Sequence, residues 1–155
     1  MKRKLLVALD GTKNSLRTAL YAAQAGSGSD TGVRLVLFHV LPRLPPHVES
    51  SRAAVAEKRA KVFGEKAYLK AERMLARIKE RMVRAGAAPQ SVSVDIVEEG
   101  GDVPAQIMEA AAEHSCDTIV VGRHEKSVID KLLTGGDVGD KLRRKRAGYT
   151  IWVVD

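Results

Sequence analysis

The sequence LLVALDGT at residues 5–12 is the clearest structural signal in the chain. Its first five residues, 5–9, form a continuous apolar run that is typical of a short strand buried on both faces of a sheet. The following Asp-Gly-Thr predicts a turn, and apolar residues at helical spacing predict a helix over residues 15–25. The Gly- and Ser-rich segment 26–30 is expected to end this helix.

Strands and helices alternate along the rest of the chain. Further strands are predicted at residues 33–41, 91–97, 118–121 and 149–154, and further helices at 50–85, 102–114, 128–133 and 138–146. Gly86 is expected to end the longest helix, and Asp102 to cap the next one. Polar and apolar residues alternate at 91–97, as in an edge strand with one solvated face. The pattern predicts a single α/β domain over residues 1–155, with an open parallel sheet and helices on both of its faces.

The composition is that of a globular protein. Hydrophobic residues make up 45% of the 155 residues and charged residues 29%, so the chain can bury a core without disulfides or a structural metal. The N-terminal apolar run breaks at Asp10, before a signal sequence or membrane span could form, so we expect a cytoplasmic protein without membrane contact. The single cysteine, Cys116, cannot form an internal disulfide, and its neighbours lack the spacing of a metal site.

The positive charge is concentrated in one segment. Residues 43–84 contain 12 of the 26 Lys and Arg but five of the 19 Asp and Glu, so they account for the whole net charge of +7. Glutamates recur among these basic residues, and aromatic residues that could stack on bases are few. We interpret the segment as a solvated helix face that could contact an unknown protein partner. Nucleic-acid binding is the less favoured alternative.

The loops at one edge of the predicted sheet form the candidate binding site. In an open parallel sheet, ligands bind beyond the carboxyl ends of the strands, where the strand order reverses. Residues 10–12 and 122–136 follow the first and fourth strands and reach that edge. Gly135 and Gly136 allow backbone amides to approach an anion, and the helix expected after them adds its positive end. The alternative is structural: the Asp and Thr of the first loop cap a helix, and the glycines permit tight turns.

Four segments resemble the universal stress protein family, and the resemblance extends over essentially the whole chain. They are VALDGT at residues 7–12 with Ser15, LFHV at 37–40, GDVP at 101–104 with Ile107, and CDTIVVGR at 116–123. The resemblance implies five parallel strands in the order 3-2-1-4-5, the adenine nucleotide alpha hydrolase-like arrangement. It also implies a small regulatory protein of the stress response, and a homodimer formed through the last strand, residues 150–154.

The nucleotide-binding branch of that family has a phosphate loop of glycine, two residues, glycine, nine residues, then glycine and serine or threonine. Here Gly122 and Gly135 match, whereas Glu125 stands at the second glycine position, Gly136 replaces the hydroxyl residue and Asp137 adds a carboxylate. The resemblance implies an adenine nucleotide, ATP, ADP or AMP, as the ligand. The site residues carried over by position are Ala8, Leu9, Asp10 and Val40 for the base and ribose, and Val121, Gly122, Glu125, Gly135, Gly136 and Asp137 for the ribose and phosphates.

Three functions remain open at this point. The first is a stress-response module with an adenine nucleotide in the cleft beside the degenerate phosphate loop. The second is a dimeric interaction module without nucleotide, which the mismatches in that loop favour. The third is a slow nucleotide hydrolase with His124 as the base. Because neither an activated serine or cysteine beside His124 nor a Walker-type lysine motif is visible, we assign no catalytic residue.

Overall fold

The computed structural model describes residues 2–27, 32–42, 53–123, 129, 132 and 150–155, apart from the side chains of residues 27 and 53–62. Strands and helices alternate within these residues, as the sequence predicts. In chain order the elements are β1 (Lys4–Leu9), α1 (Asn14–Ser27), β2 (Arg34–Leu41), α2 (Ala53–Arg84), a 3-10 turn (Pro89–Ser91), β3 (Val92–Glu98), α3 (Val103–Glu113), β4 (Thr118–Gly122) and β5 (Thr150–Val154).

The five strands form one parallel sheet in the order β3-β2-β1-β4-β5. β1 is the central strand and pairs with β2 from Lys4 to Leu9 and with β4 from Leu5 to Val7. The chain leaves β1 toward β2 on one side and returns to β4 on the other, so the strand order reverses at β1. The predicted fold class and strand order are confirmed, and the reversal is where open α/β sheets bind ligands.

The two faces of the sheet are covered by different helices. Successive residues of a strand point to opposite faces, and accordingly Leu5, Val7 and Leu9 pack with α1 and α2, whereas Leu6 and Ala8 pack with α3. All five side chains are buried. Because β1 is covered on both faces, its sequence is continuously apolar rather than alternating.

The long helix α2 rests on the sheet through one narrow apolar stripe. Ala71, Leu75, Ile78 and Met82 recur three or four residues apart and are buried. Gly86 follows the helix with a φ of +112°, as expected for a residue that ends a helix. Although α2 has 32 residues, no helix in the described part of the chain is apolar enough to cross a membrane.

Two helix termini lie where the sequence predicts them. The segment 26–30 was expected to end α1, and the helix ends within that segment, at Ser27. A Cβ at Gly26 would lie 3.0 Å from the Cβ of Val33, so this glycine also allows a close contact between the last turn of α1 and the residue before β2. Asp102 occupies the N-cap position of α3, but its side chain makes no capping hydrogen bond.

The predicted helices at 128–133 and 138–146 lie outside the described residues, with two exceptions. Ile129 and Leu132 are described, and both are helical. Leu132 is buried against the core on the α3 side of the sheet, and Ile129 packs beside it. These two positions therefore place part of the segment after β4 on the same face as α3.

Candidate functional site

A cleft of about 1460 Å³ opens beyond the carboxyl ends of β1 and β2. The last residues of these strands, among them Leu9 and Val40, form its base together with the turn that follows β1. One flank of α2 and the first turn of α3 form its walls. The cleft lies at the edge of the sheet where the sequence predicts a ligand.

Asp10 organises the turn between β1 and α1. Its Oδ1 accepts three hydrogen bonds, from the Thr12 backbone N–H at 2.9 Å, the Thr12 hydroxyl at 2.7 Å and the Ser15 hydroxyl at 3.0 Å. The Ser15 Oγ in turn accepts a hydrogen bond from the Gly11 N–H at 3.1 Å. Since Ser15 is 3% exposed, its hydroxyl serves this turn and does not face solvent. Hydrogen bonds within residues 10–15 therefore fix the position of the Asp10 carboxyl group.

The Asp10 carboxyl group is ionised at neutral pH. Burial raises the pKa of this group. The hydrogen bonds from the Thr12 backbone, the Thr12 hydroxyl and the Ser15 hydroxyl together lower the pKa by more than burial raises it, so the pKa lies below its ordinary value. All three of these bonds go to Oδ1, the backbone N–H of Asp10 itself also lowers the pKa of the carboxyl group, and Oδ2 accepts from no other described residue. Asp10 thus presents an open, negatively charged acceptor to the cleft, which suits a hydroxyl or amine donor.

His39 joins the end of β2 to the end of β1. Its Nδ1 lies 2.7 Å from the carbonyl oxygen of Leu9, and because a carbonyl can only accept, Nδ1 carries the proton and donates it. The ring is 8% exposed and lies beside Gly11, which has a φ of +84°. A Cβ at Gly11 would lie 3.4 Å from Cε1 of His39 and 3.7 Å from the sulfur of Met74. These are ordinary van der Waals distances, so the positive φ of the turn, and not a lack of space, favours glycine at this position.

Four of the predicted site residues line the cleft together: Ala8, Leu9, Asp10 and Val40. Ala8 and Leu9 are buried, Val40 is half-buried and Asp10 is exposed. The structure thus brings together the residues that the sequence assigned to the base and ribose.

The residues assigned to the phosphates are placed differently. Val121 is fully buried in the core on the α3 side, and Gly122 lies against α1, where a Cβ would be 3.2 Å from Oγ1 of Thr18. Both are at the end of β4, beside β1, and neither is among the residues that line the cleft. The other predicted positions, Glu125, Gly135, Gly136 and Asp137, lie outside the described residues, as does His124.

Two contributors to the cleft escaped the sequence analysis. His39 stands in an apolar strand, a context that indicates a core residue rather than a cleft residue. The basic residues of segment 43–84 were interpreted as a solvated face, yet several of them line the cleft. Their regular spacing would place them on one flank of a helix, and this could have been seen in the sequence. The basic residues of α2 that line the cleft are Lys66, Lys70, Arg73, Arg77 and Arg81.

Metal ligands are not grouped in the described part of the chain. No three His, Cys, Asp or Glu side chains come close enough there to hold an ion together. Cys116, the single cysteine, is buried in the core on the α3 side. The described part of the cleft therefore offers a carboxylate, cations and apolar surface to a ligand.

Residues 1–146 match the sequence profile of the universal stress protein family. The match includes the Asp10 turn, both strands at the base of the cleft, and β4. The chain belongs to the universal stress protein family. The family indicated by the four sequence segments is thereby confirmed.

Solved universal stress proteins have the same fold. One from Burkholderia pseudomallei is 23% identical with a TM-score of 0.71, and the alignment covers 97% of this chain and 94% of that one. One from Archaeoglobus fulgidus in complex with dAMP is 14% identical with a TM-score of 0.65, covering 100% and 98%. A third, in complex with cAMP, is 24% identical with a TM-score of 0.60, covering 99% and 97%. At these identities the likeness shows the fold alone, and no curated protein matches the sequence.

Proposed function

We propose that this universal stress protein is a small regulatory module that binds an adenine nucleotide in the cleft beyond β1 and β2. The observation that carries the proposal is Asp10, whose Oδ1 is held by Thr12 and Ser15 while its Oδ2 accepts from no other residue in the described part of the chain. Open α/β sheets bind ligands where the strand order reverses, and in dinucleotide-binding folds a carboxylate accepts a hydrogen bond from a ribose hydroxyl. A ribose hydroxyl therefore donates to Oδ2 of Asp10.

The apolar surface near Asp10 suits a flat aromatic base. Ala8 is 5% exposed and presents a single methyl group, which leaves room above β1. Val40 provides a half-buried aliphatic wall, and Phe63 of α2, 47% exposed, also lines the cleft. Ligand sites combine such apolar walls with a few placed polar groups, and here Asp10 is the polar group beside the apolar surface.

Two solved relatives support adenine as the base. One holds dAMP and another holds cAMP. These two ligands share adenine, and each has one free ribose hydroxyl, the 3′ group in dAMP and the 2′ group in cAMP. A single open carboxylate oxygen, as on Asp10, accepts from either group. The ligand class that fits the cleft is therefore an adenine nucleotide. Either its 2′ or its 3′ hydroxyl can donate to Asp10.

Calorimetric titration of ligand-stripped protein with AMP, ADP and ATP, with and without magnesium, tests the proposal. We expect micromolar binding of at least one nucleotide. Val40→Trp fills the cleft and lowers that affinity by at least about tenfold, the equivalent of about 1.4 kcal/mol. Val94→Trp is the matched control, because Val94 is a 40% exposed valine on β3 that does not line the cleft.

The titration has two outcomes that contradict the proposal. One is the absence of heat with all three nucleotides at millimolar concentration. The other is an equal loss of affinity in both tryptophan variants, which would trace the effect to general destabilisation and not to the cleft. Circular dichroism of the two variants shows whether each retains its fold.

A second function, a dimeric interaction module without nucleotide, is favoured by the outer edge of β5. This strand pairs with β4 and with no other described strand, and its Val153 is 43% exposed. Val153 and Tyr21 of α1, which is 52% exposed, line a groove of about 640 Å³. Proteins usually cover an open strand edge of this kind, and pairing of two β5 strands would do so. The mass in solution, measured together with the nucleotide titration, distinguishes this function from the first.

A further inference from the structure

Five basic residues form a row along one flank of α2. Lys66, Lys70, Arg73, Arg77 and Arg81 follow one another at steps of four, three, four and four residues. At about 100° per residue, they fall within an arc of roughly 80° on the helix surface. All five are exposed and all five line the cleft. We call them the α2 basic row.

No carboxylate neutralises the α2 basic row within the described residues. None of its five side chains makes an ion pair or hydrogen bond there. The nearest acid on the helix surface, Glu80, is bound to Arg84 at 2.8 Å, and Glu65 and Glu72 lie on another flank of α2 and do not line the cleft. The neighbouring helix α1 contains no acidic residue at all. The positive charge of the row, which lines the cleft, is therefore not offset by a carboxylate within the described residues.

Met74 shows where the row meets the cleft. Its sulfur lies 3.7 Å from the Cβ position of Gly11, beside the turn that holds Asp10. Arg77, one turn after Met74, and Arg73 line the same cleft as this turn. Because α2 begins at the carboxyl edge of the sheet and ends at the opposite edge, the part of the row before Met74 extends outward beyond the strands.

The charges of the row repel one another. Like charges four residues apart destabilise a helix, and such pairs occur at 66 and 70, 73 and 77, and 77 and 81. Among the described residues, Lys13 from the turn after β1 adds a sixth cation to the cleft, whereas two carboxyl groups, Asp10 and Glu99, line it. An anion bound along the row would relieve this repulsion, so the cleft is built to hold more negative charge than it contains.

We propose that the α2 basic row binds the phosphate chain of the nucleotide whose base and ribose occupy the cleft; this inference rests on the proposed function. With the ribose on Asp10, the first phosphate lies near the same turn, within reach of Arg73, Arg77 and Lys13. Arginine guanidinium groups bind phosphate oxygens in pairs, which gives the row its affinity. The row extends over about 22 Å of helix, longer than a triphosphate. The ligand class is therefore an adenine nucleotide with three or more phosphates.

The loop after β4 is the weaker phosphate site by its sequence. It carries Glu125 at a glycine position and Asp137 next to the last glycine pair, and both carboxylates repel phosphate. The α2 basic row provides five cations on one flank and no intervening carboxylate. This difference in charge favours α2 over that loop as the phosphate site.

A ladder of ligands tests the inference: adenosine, AMP, ADP, ATP and adenosine tetraphosphate, each titrated by calorimetry. In the unmodified protein each added phosphate is expected to tighten binding roughly two- to fivefold, the range of exposed ion pairs. In Arg73→Ala/Arg77→Ala the increase in affinity falls below about twofold per added phosphate, while the affinity for adenosine is unchanged. Lys2→Ala/Arg34→Ala is the control, because it removes the same charge from the opposite edge of the sheet. In this control the affinity should still increase with each added phosphate.

A second variant tests the outer part of the α2 basic row separately from Arg73 and Arg77. Lys66→Ala/Lys70→Ala is expected to remove the gain from ATP to adenosine tetraphosphate and to leave the step from AMP to ADP unchanged. Circular dichroism and the fluorescence of Trp152 establish that each variant is folded. This variant keeps the inference testable if the double arginine variant is unstable.

The outcomes separate the inference from the proposed function. Equal affinities along the ladder, or a phosphate dependence that survives in both α2 variants, would overturn the inference and leave the nucleotide cleft standing. The inference is likewise overturned if the control loses as much affinity as the α2 variants. Failure of adenosine and every nucleotide to bind would overturn both. Tighter binding of a single-stranded oligonucleotide than of adenosine tetraphosphate would assign the row to nucleic acid instead.

Discussion

Replacement of Ser15 by alanine tests the turn that presents Asp10. The Ser15 hydroxyl donates to Oδ1 of Asp10 at 3.0 Å and accepts from the Gly11 N–H at 3.1 Å. Alanine removes both hydrogen bonds and leaves the Gly11 N–H without its partner. Because Ser15 is 3% exposed, water does not readily replace the hydroxyl. We expect the free energy of unfolding to fall.

The size of the loss follows from these two hydrogen bonds. The bond from Gly11 contributes about 0.5–1.5 kcal/mol, the usual net value for a neutral pair. Asp10 is exposed, so solvent screens its charge, and we assign the bond from Ser15 to Asp10 about 1 kcal/mol. Ser15→Ala is therefore expected to cost about 2 kcal/mol. For a chain of this size that lowers the Tm by roughly 4–8 °C.

The loss depends on pH in a defined direction. The pKa of Asp10 is below its ordinary value in the folded protein, in part because Ser15 donates to it. The ionised carboxylate therefore stabilises the fold above the unfolded-state pKa of about 3.9, and this contribution disappears as the pH falls through the folded-state pKa. Ser15→Ala moves the folded-state pKa of Asp10 upward. The difference between the two proteins is accordingly largest near neutral pH and smaller at about pH 3.

Urea denaturation followed by the fluorescence of Trp152, the single tryptophan, measures the effect. Ser91→Ala is the matched control, because the Ser91 hydroxyl donates one exposed hydrogen bond to the Ala88 carbonyl at 2.7 Å. It should cost about 0.5 kcal/mol or less. If Ser15→Ala cost no more than this control, or if its cost grew as the pH fell, the reasoning about the Asp10 turn would be wrong.

Two further predictions concern the core and the β5 edge. Leu75→Ala should lower the free energy of unfolding by about 2–5 kcal/mol in urea denaturation, because Leu75 is fully buried between α2 and the sheet. Leu69→Ala, at a 50% exposed leucine of the same helix, should change it by less than about 0.5 kcal/mol. Similar losses in the two variants would contradict the packing of α2. Val153→Lys, which places a charge on the outer edge of β5, should convert a dimer to a monomer in light scattering after gel filtration, and a dimer that persists would place the interface elsewhere.

The sequence by itself determined the class of fold. Runs such as residues 5–9 and 35–38 are apolar at every position, which requires cover on both faces, and the intervening helical segments provide that cover. These are local patterns, so they can be read without knowing which elements meet. Strand-end geometry predicted the edge of the sheet and the Asp10 loop as the binding site, whereas the choice of Ala8, Leu9, Asp10 and Val40 came from the family resemblance. The strand order itself came from the family resemblance and not from periodicity.

The tertiary structure decided which side chains from distant segments meet. His39 becomes a cleft residue because the parallel pairing of β1 and β2 brings its Nδ1 to the carbonyl of Leu9, 30 residues earlier. Gly26 lies close to Val33, a contact that its position in the sequence does not predict. The cations of α2 become part of the cleft because the buried stripe of that helix sets its rotation and turns one flank toward the Asp10 turn. A sequence shows the spacing of a charged row, but the rotation of its helix depends on packing energies summed over contacts far apart in the chain.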